Sequence, residues 1–268
     1  MCDVCGCGDP KLVPVDVHDK ILAKNDHQAD HNRAHFVEAG VLAINLMGSP
    51  GSGKTALLEA TARGSTGKLR FGAVSGDLAT DRDAQRLNKA GIPSEAITTG
   101  NACHLDADMV HDSLHGMKWR DTDVFFIENV GNLVCPAVYD LGQAANVVAL
   151  SVTEGEDKPL KYPTMFRGAD LVILTKIDLI PHLGEFSMSA LEDALARVMP
   201  TPKVLKISSR TGEGIDTWLN WLEERRPRPG TKAQPHGHHA HDHHGHSHEH
   251  GHSHDHTHDH GHSHGKHG

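Results

Sequence analysis

The stretch that decides the fold reads Gly48-Ser49-Pro50-Gly51-Ser52-Gly53-Lys54-Thr55. It matches the G-x-x-x-x-G-K-[ST] pattern of phosphate-binding loops at every fixed position. The apolar run 41–47 before it predicts a buried strand, and residues 56–60 predict a helix after it. Glycines in such a loop let backbone N–H groups point at phosphates, so the pattern predicts a nucleotide site. We expect Lys54 to reach the β and γ phosphates and the Thr55 hydroxyl to hold Mg²⁺.

Two acidic side chains follow later predicted strands. Asp77 comes after the apolar segment 69–75, and Glu128 comes after 124–127. Because the carboxyl ends of parallel strands meet at one edge of a sheet, both carboxylates are candidates for Mg²⁺ or water at the nucleotide. With Glu128, Gly131 resembles an E-x-x-G sensor, in which the glycine N–H reads the γ-phosphate. We therefore predict Lys54, Asp77 and Glu128 as the catalytic group.

The residues that follow a third predicted strand indicate which nucleotide base is bound. Thr175-Lys176-Ile177-Asp178 follows the apolar segment 171–174. The Asp178 carboxylate can accept two hydrogen bonds from guanine, whereas adenine lacks that donor pair and would leave it unpaired. The Lys176 stem can lie along the base plane. Backbone N–H groups of Ser208 and Ser209 are expected to meet the guanine oxygen.

The first residues carry three closely spaced thiols, Cys2, Cys5 and Cys7. As thiolates they can converge on one soft ion. If Met1 is removed, the amine of Cys2 becomes a fourth ligand in a square-planar arrangement that suits Ni²⁺; tetrahedral Zn²⁺ is the competing interpretation. The alternative to both is a disordered end whose cysteines bind nothing.

A second set of soft ligands lies inside the predicted nucleotide domain. Cys103 and His104 are adjacent, and Cys135 follows the 124–127 strand by a short loop. Together they supply three ligands for Ni²⁺ or Zn²⁺, with the fourth from water, His111, another side chain or a second subunit. The alternative is a pair of structural cysteines beside a capping histidine.

Histidine dominates the end of the chain. Of 25 histidines, 17 lie beyond Pro235, among Gly, Ser, Asp and Thr. With no apolar residues to bury, this tail is predicted to be disordered and to hold many weak metal sites. The predicted organisation is a cysteine motif over 1–10, a linker or helix over 11–40, a nucleotide domain over 41–226 and the tail over 227–268.

Three further histidines lie at helical spacing before the nucleotide domain. His27, His31 and His35 fall on one face of a helix predicted over 16–36. That spacing can bind metal, but a solvated face is the favoured interpretation.

The composition excludes several partners. A formal charge of −9 argues against a nucleic-acid partner held by bulk electrostatics. We find no signal peptide and no apolar run long enough to span a bilayer, so no membrane partner is expected. A cytoplasmic location is predicted, where the five cysteines are better explained as metal ligands than as disulfides.

Together these motifs resemble the HypB family, the GTPases that help load nickel into [NiFe]-hydrogenase. The resemblance spans about residues 41–224 together with the N-terminal cysteines, and its most specific stretches are 1–7, 48–55, 100–106, 126–136 and 150–163. It implies an α/β fold with a doubly wound, mostly parallel sheet, of the SIMIBI class of P-loop GTPases. It also implies slow GTP hydrolysis, a GTP-promoted homodimer, and partnership with a HypA-type metallochaperone and a hydrogenase large-subunit precursor.

The resemblance implies two metal sites, nickel at Cys2, Cys5 and Cys7, and a second site at Cys103, His104 and Cys135 near the dimer interface. Two features depart from the family. Thr175 stands where guanine-binding motifs usually have Asn, and the histidine-rich stretch follows the nucleotide domain rather than preceding it. We predict a GTP-hydrolysing nickel metallochaperone. The alternatives are a urease-type nickel GTPase and a metal-storage protein with a non-catalytic GTPase fold.

Overall fold

A computed structural model describes residues 15–100, 102–184 and 186–227, with side chains from residue 20 onward. The described residues belong to one compact unit. The N-terminal site predicted at Cys2, Cys5 and Cys7 and the histidine-rich tail lie outside the described residues. In the part of the chain described, no helix is both long and apolar enough to cross a membrane.

A parallel sheet of seven strands, in the spatial order β3-β2-β4-β1-β5-β6-β7, forms the centre of the molecule. The strands are β1 (Leu42–Met47), β2 (Phe71–Asp77), β3 (Ser94–Thr98), β4 (Val124–Glu128), β5 (Ala145–Ser151), β6 (Leu171–Thr175) and β7 (Val204–Ile207). Every neighbouring pair is parallel. All six residues of β1 are buried, as a strand covered on both faces requires. The predicted doubly wound sheet is confirmed.

Helices cover both faces of this sheet. They are α1 (Val15–Ala39), α2 (Lys54–Ser65), α3 (Arg82–Lys89), α4 (Ala107–Gly116), α5 (Lys158–Lys161), α6 (Pro163–Arg167), α7 (Met188–Val198) and α8 (Ile215–Arg225). Four short 3₁₀ segments lie at Trp119–Asp121, Cys135–Ala137, Val152–Glu154 and Ile177–His182.

Alternating side chains of the central strands pack into the hydrophobic cores on the two faces of the sheet. Ile44 and Phe126 pack in one core, which α2 and α8 close. Phe125 and Ile127 pack in the other, beneath α1 and α4. Because successive side chains of a strand point to opposite faces, one apolar run supplies both cores. Because the strands are parallel, the carboxyl ends of β1, β2, β4 and β6 lie at the same edge of the sheet, where ligands bind in folds of this kind.

Most elements lie close to where the sequence predicts them. The predicted helix 16–36 is Val15–Ala39. Helix α3 has Asp81 as its N-cap and Asp83 in its first turn. Helix α4 begins at Ala107, because the Asp106 side chain accepts the Met109 N–H at 2.8 Å and caps it. Helices α5, α6 and α7 and strand β3 were not predicted.

Candidate nucleotide and metal site

The phosphate loop joins β1 to α2 through backbone that only glycine adopts easily. Gly48 has φ of 151°, and a Cβ there would lie 2.5 Å from the Ala149 carbonyl oxygen. Gly51 and Gly53 have φ of 75° and 96°. Positive φ at these positions turns the loop back over the N-terminus of α2, which leaves backbone N–H groups available to an anion.

Lys54 is a buried cation in this loop. Its side chain is 8% exposed, and Nζ donates to the carbonyls of Gly48 at 3.2 Å and Ser49 at 3.3 Å. Burial lowers the pKa of this amine, because a desolvated ammonium is disfavoured. Within the described ranges no carboxylate lies within ion-pair distance of it. A triphosphate would supply the missing negative charge.

The loop contains a second buried polar group, the hydroxyl of Ser52. The Ser52 hydroxyl is fully buried and has no hydrogen-bond partner among the described residues. Buried polar groups are nearly always paired, because an unpaired one costs roughly 1–3 kcal/mol. Lys54 and Ser52 therefore fit a bound phosphate.

Glu128 and Thr55 meet at the bottom of the loop. Thr55 Oγ1 donates to Glu128 Oε1 at 2.6 Å, and Ser75 Oγ donates to Oε2 at 3.2 Å. Glu128 is 2% exposed, and burial raises the pKa of its carboxyl. A hydroxyl and a carboxylate side by side are oxygen ligands of the kind Mg²⁺ takes, so these two residues fit the predicted magnesium pair.

Asp77 uses its carboxylate differently. Its Oδ1 accepts the backbone N–H groups of Ala79 at 2.9 Å and Thr80 at 2.8 Å, and these hydrogen bonds lower its pKa. Asp77 therefore orders the turn after β2. Asp83, in the first turn of α3, is close enough to act on both Lys54 and Glu128 electrostatically.

Replacing Glu128 by Gln should change the stability of the protein and its affinity for nucleotide in opposite directions. Because the folded pKa of Glu128 is raised, its contribution to the free energy of unfolding is greatest at low pH and falls as pH rises through that pKa. Glu128→Gln removes that loss, so the nucleotide-free variant should gain stability relative to wild type as pH rises from 5 to 8. Mg²⁺-dependent GTP affinity should fall. Urea unfolding at pH 5 and pH 8, with and without Mg²⁺ and GTP, measures both effects; a variant equally stabilised by GTP would contradict the magnesium assignment.

The predicted base-binding residues converge at the end of β6. Asp178 Oδ1 accepts the Ser208 hydroxyl at 2.7 Å, and Lys176 Nζ donates to the Gly51 carbonyl at 2.7 Å. Thr175, which stands in the place of the usual Asn, donates from Oγ1 to the Ser52 carbonyl at 2.6 Å. The threonine hydroxyl thus ties the base-binding segment to the phosphate loop.

The structure brings Cys103, His104 and Cys135 together. Their candidate ligand atoms all lie within 4.8 Å of one another. The two Sγ atoms are 2.8 Å apart, and Cys103 Sγ is 3.9 Å from His104 Nδ1. His104 is 2% exposed and stacks on Tyr139 with ring centroids 3.9 Å apart. Burial lowers the pKa of His104, which favours the neutral imidazole that binds a metal.

Two asparagines that the sequence analysis missed contact the segment that carries Cys103 and His104, and Asn132 also reaches the phosphate loop. Asn132 forms a β-bridge with Gly48, the first loop residue, while its Nδ2 donates to the Cys103 carbonyl at 3.2 Å. Asn129 Oδ1 accepts the Leu105 N–H at 3.2 Å, just beyond His104. Gly131 lies between them, and a Cβ there would be 2.9 Å from Pro50. The segment 129–132 therefore contacts both the phosphate loop and the residues beside the metal cluster.

His111 does not join that cluster. It groups instead with His31 and His35, since α4 presents it to α1. Of the candidates for a fourth ligand at the cysteine site, His111 is therefore not supported. The solvated-face interpretation fits His27 and His31, which are exposed, but is wrong for His35, which is partly buried.

Comparison with known proteins agrees with this fold and loop. A family model described as the CobW/HypB/UreG nucleotide-binding domain matches residues 42–206. The HypB hydrogenase maturation factor of Azotobacter chroococcum is 48% identical over 212 residues, covering 79% of this chain and 69% of that protein. The Helicobacter pylori hydrogenase/urease maturation factor HypB is 42% identical over 224 residues, covering 81% of this chain and 91% of that protein.

A solved structure is also similar. The crystal structure of Helicobacter pylori HypB in complex with nickel superposes with a TM-score of 0.72 at 39% identity, covering 78% of this chain and 100% of that one. The fold and the phosphate loop thus define a P-loop nucleotide-binding protein of the CobW/HypB/UreG class. Within that class, the chain belongs to the HypB family of hydrogenase maturation factors.

Proposed function

We propose that this protein is a GTP-hydrolysing nickel metallochaperone that serves the maturation of [NiFe]-hydrogenase. The observation that carries the proposal is the short hydrogen-bonded connection from the phosphate loop to Cys103, His104 and Cys135 through Asn132. Family membership supports the same role, since similar proteins are named hydrogenase maturation factors and one was solved with nickel.

The nucleotide half of the proposal uses residues of the loop and of two strand ends. Lys54 neutralises part of the phosphate charge, and the loop N–H groups donate hydrogen bonds to the phosphate oxygens. Both interactions stabilise the negative charge that spreads over the γ-phosphate during transfer. Thr55 and Glu128 would hold Mg²⁺, which neutralises phosphate oxygens when bound. Gly131 is proposed to sense the γ-phosphate from beside Pro50. The resulting change reaches the metal cluster through Asn132.

Guanine preference is proposed to come from Asp178. Its carboxylate already accepts from Ser208, and Arg210 Nη1 lies 3.8 Å away, so it is held in place before the base arrives. Asp178→Asn should weaken GTP binding by about 10- to 150-fold, because charge-assisted hydrogen bonds contribute roughly 1.5–3 kcal/mol. It should improve binding of xanthosine triphosphate, whose extra base oxygen can accept from the amide.

Fluorescent nucleotide titration measures this change of base preference. Asp216→Asn, the same substitution at an exposed position of α8, is the matched control and should behave as wild type. An unchanged ratio of GTP to xanthosine triphosphate affinity in Asp178→Asn would place the base elsewhere.

Nickel is proposed as the cargo of the Cys103, His104 and Cys135 cluster, with Zn²⁺ as the competing ion. Two thiolates and an imidazole are soft to borderline ligands, and the neutral state of His104 is favoured by its burial. The N-terminal thiols remain a proposed second nickel site.

Self-association is proposed at the same end of the molecule. Val134 and Val138 flank the Cys135 segment and are 56% and 46% exposed. Exposed apolar side chains beside a metal cluster suit a GTP-promoted homodimer. A HypA-type metallochaperone and a hydrogenase large-subunit precursor are the proposed partners, and the proposed location is the cytoplasm.

The deciding experiment measures nickel release. Full-length protein loaded with Ni²⁺ is mixed with a colorimetric chelator in the presence of GTP, GDP or no nucleotide, while phosphate release is followed in parallel. We expect GTP turnover and a release rate that depends on the nucleotide. Asn132→Ala should bring the rates with GTP and GDP close together while turnover continues, because the connection to Cys103 is lost.

Asn220→Ala, an exposed position on α8, is the matched control. Release rates indifferent to nucleotide in the wild-type protein would refute the coupled mechanism. Absence of GTP turnover at any nickel concentration would instead favour the metal-storage alternative.

A further inference from the structure

A histidine cluster lies on the seam between α1 and α4, apart from the cysteine site. His31 and His35 are one turn apart on α1, and His111 faces them from α4. One ligand nitrogen from each can be chosen so that all three lie within 4.8 Å of one another. The ring centroids of His31 are 4.3 Å from His35 and 5.1 Å from His111, and those of His35 and His111 are 5.8 Å apart.

Asn32 fixes how the His111 ring is protonated. Its Nδ2 donates to the carbonyls of Ala107 at 2.9 Å and Leu141 at 3.3 Å, so the side-chain oxygen must be the acceptor. That Oδ1 lies 3.0 Å from His111 Nδ1. The hydrogen bond therefore requires a proton on Nδ1, which leaves Nε2 of His111 with a lone pair. Outer-sphere hydrogen bonds of this kind orient metal-binding histidines.

The surroundings favour neutral rings. Burial lowers the pKa of His35 and of His111, and the nearby histidines lower both further. Arg120 acts in the same direction on His35, whereas Glu38 opposes it. Asp108 and Asp112 oppose the shift at His111. Crowded imidazoles resist protons because each added charge repels the next, whereas a single dication can satisfy several lone pairs at once.

We propose that His31, His35 and His111 form a binding site for a divalent transition-metal ion, distinct from the cysteine sites. Imidazole suits Ni²⁺, Zn²⁺ and Cu²⁺, and three protein ligands leave room for water. Metal–nitrogen distances of about 2.0–2.1 Å require nitrogens closer than 4.8 Å. His31 supplies that adjustment, because its side chain is exposed and its contact with Gln28, at 3.5 Å, is long.

A bound ion would clamp α1 to α4. The two helices already meet through asparagines of α1, since Asn25 Oδ1 accepts the Ala107 N–H at 2.9 Å and Asn32 donates to the Ala107 carbonyl. Ala107 is the first residue of α4 and follows His104 by three positions. Occupancy of the histidine site therefore restrains the helix that leaves the cysteine site.

Trp119 offers a local probe. Its ring stacks on His35 with centroids 6.4 Å apart. Nickel held by imidazoles and water has unpaired electrons, which broaden NMR signals nearby. The experiment adds Ni²⁺ to full-length ¹⁵N-labelled protein and follows the indole N–H signals of the three tryptophans, with the Trp119 signal assigned from Trp119→Phe. We expect selective loss of the Trp119 signal, and its recovery when excess Zn²⁺ displaces nickel.

The variants His31→Gln, His35→Gln and His111→Gln should keep the Trp119 signal at the same Ni²⁺ concentration. His27→Gln, an exposed position one turn earlier on α1, is the matched control and should lose the signal as wild type does. All variants share the histidine-rich tail, so nickel bound there cannot explain a difference. An unchanged Trp218 signal in each variant shows that the fold is intact. Equal loss in every variant, or no loss in wild type, would overturn the proposal.

Discussion

Lys54→Ala should weaken GTP binding by on the order of 10²- to 10⁴-fold. Two hydrogen bonds from an ammonium to phosphate contribute roughly 1.5–3 kcal/mol each, and each 1.4 kcal/mol is a factor of ten in affinity. Among the described residues, the buried Nζ donates to the carbonyls of Gly48 and Ser49 and forms no ion pair, so the amine is available to phosphate. Isothermal titration with GTP and Mg²⁺ measures the affinity, and phosphate release measures the accompanying loss of turnover.

Lys68→Ala is the matched control, since Lys68 lies exposed after the same helix. It should bind GTP as wild type does. Thermal unfolding of the two nucleotide-free variants distinguishes lost binding from lost folding, because removing the buried Lys54 amine leaves the sheet and its helices in place. GTP affinity unchanged in Lys54→Ala would refute the phosphate-loop assignment.

The central part of the fold could be predicted because it depends on local pattern. The loop 48–55 between an apolar run and a helix has few structural interpretations, and the buried strands read as continuous apolar segments. Strand β3 escaped prediction because Ser94 and Glu95 interrupt its apolar pattern and most of it is only partly buried. Helix α7 does have a sequence pattern that predicts a helix, since Leu191, Ala194 and Leu195 lie at helical spacing after the Ser187 cap.

The candidate site likewise contains residues that the sequence predicts and residues that it does not. Cysteine and histidine types at strand ends were enough to predict that Cys103, His104 and Cys135 lie together, because parallel strands share one edge. Asn129 and Asn132 could not be predicted, since an amide in a loop has no pattern and its partners are distant in sequence. The position of His111 likewise depends on how α1 packs across α4, which periodicity does not determine.

Cys103→Ala combined with Cys135→Ala should remove one metal equivalent from the full-length protein. The two substitutions take away both thiolates of a three-ligand cluster, and the buried His104 alone is too few ligands to retain an ion. Because the asparagine contacts use backbone groups of Cys103 and Leu105, GTP affinity should remain. Elemental analysis after dialysis against buffered nickel or zinc measures the metal, and nucleotide titration measures the affinity.

Metal binding at this cluster should depend on pH, because its ligands must lose protons before they bind. Thiols must lose protons to bind, so the lost equivalent should be one whose affinity rises with pH. Burial lowers the pKa of His104, so its imidazole stays neutral to lower pH than an ordinary histidine and adds little to that dependence. His182→Ala removes an exposed histidine and should leave the stoichiometry unchanged. Equal metal content in the wild-type protein and the double variant, across the pH range, would exclude this cluster as a nickel site.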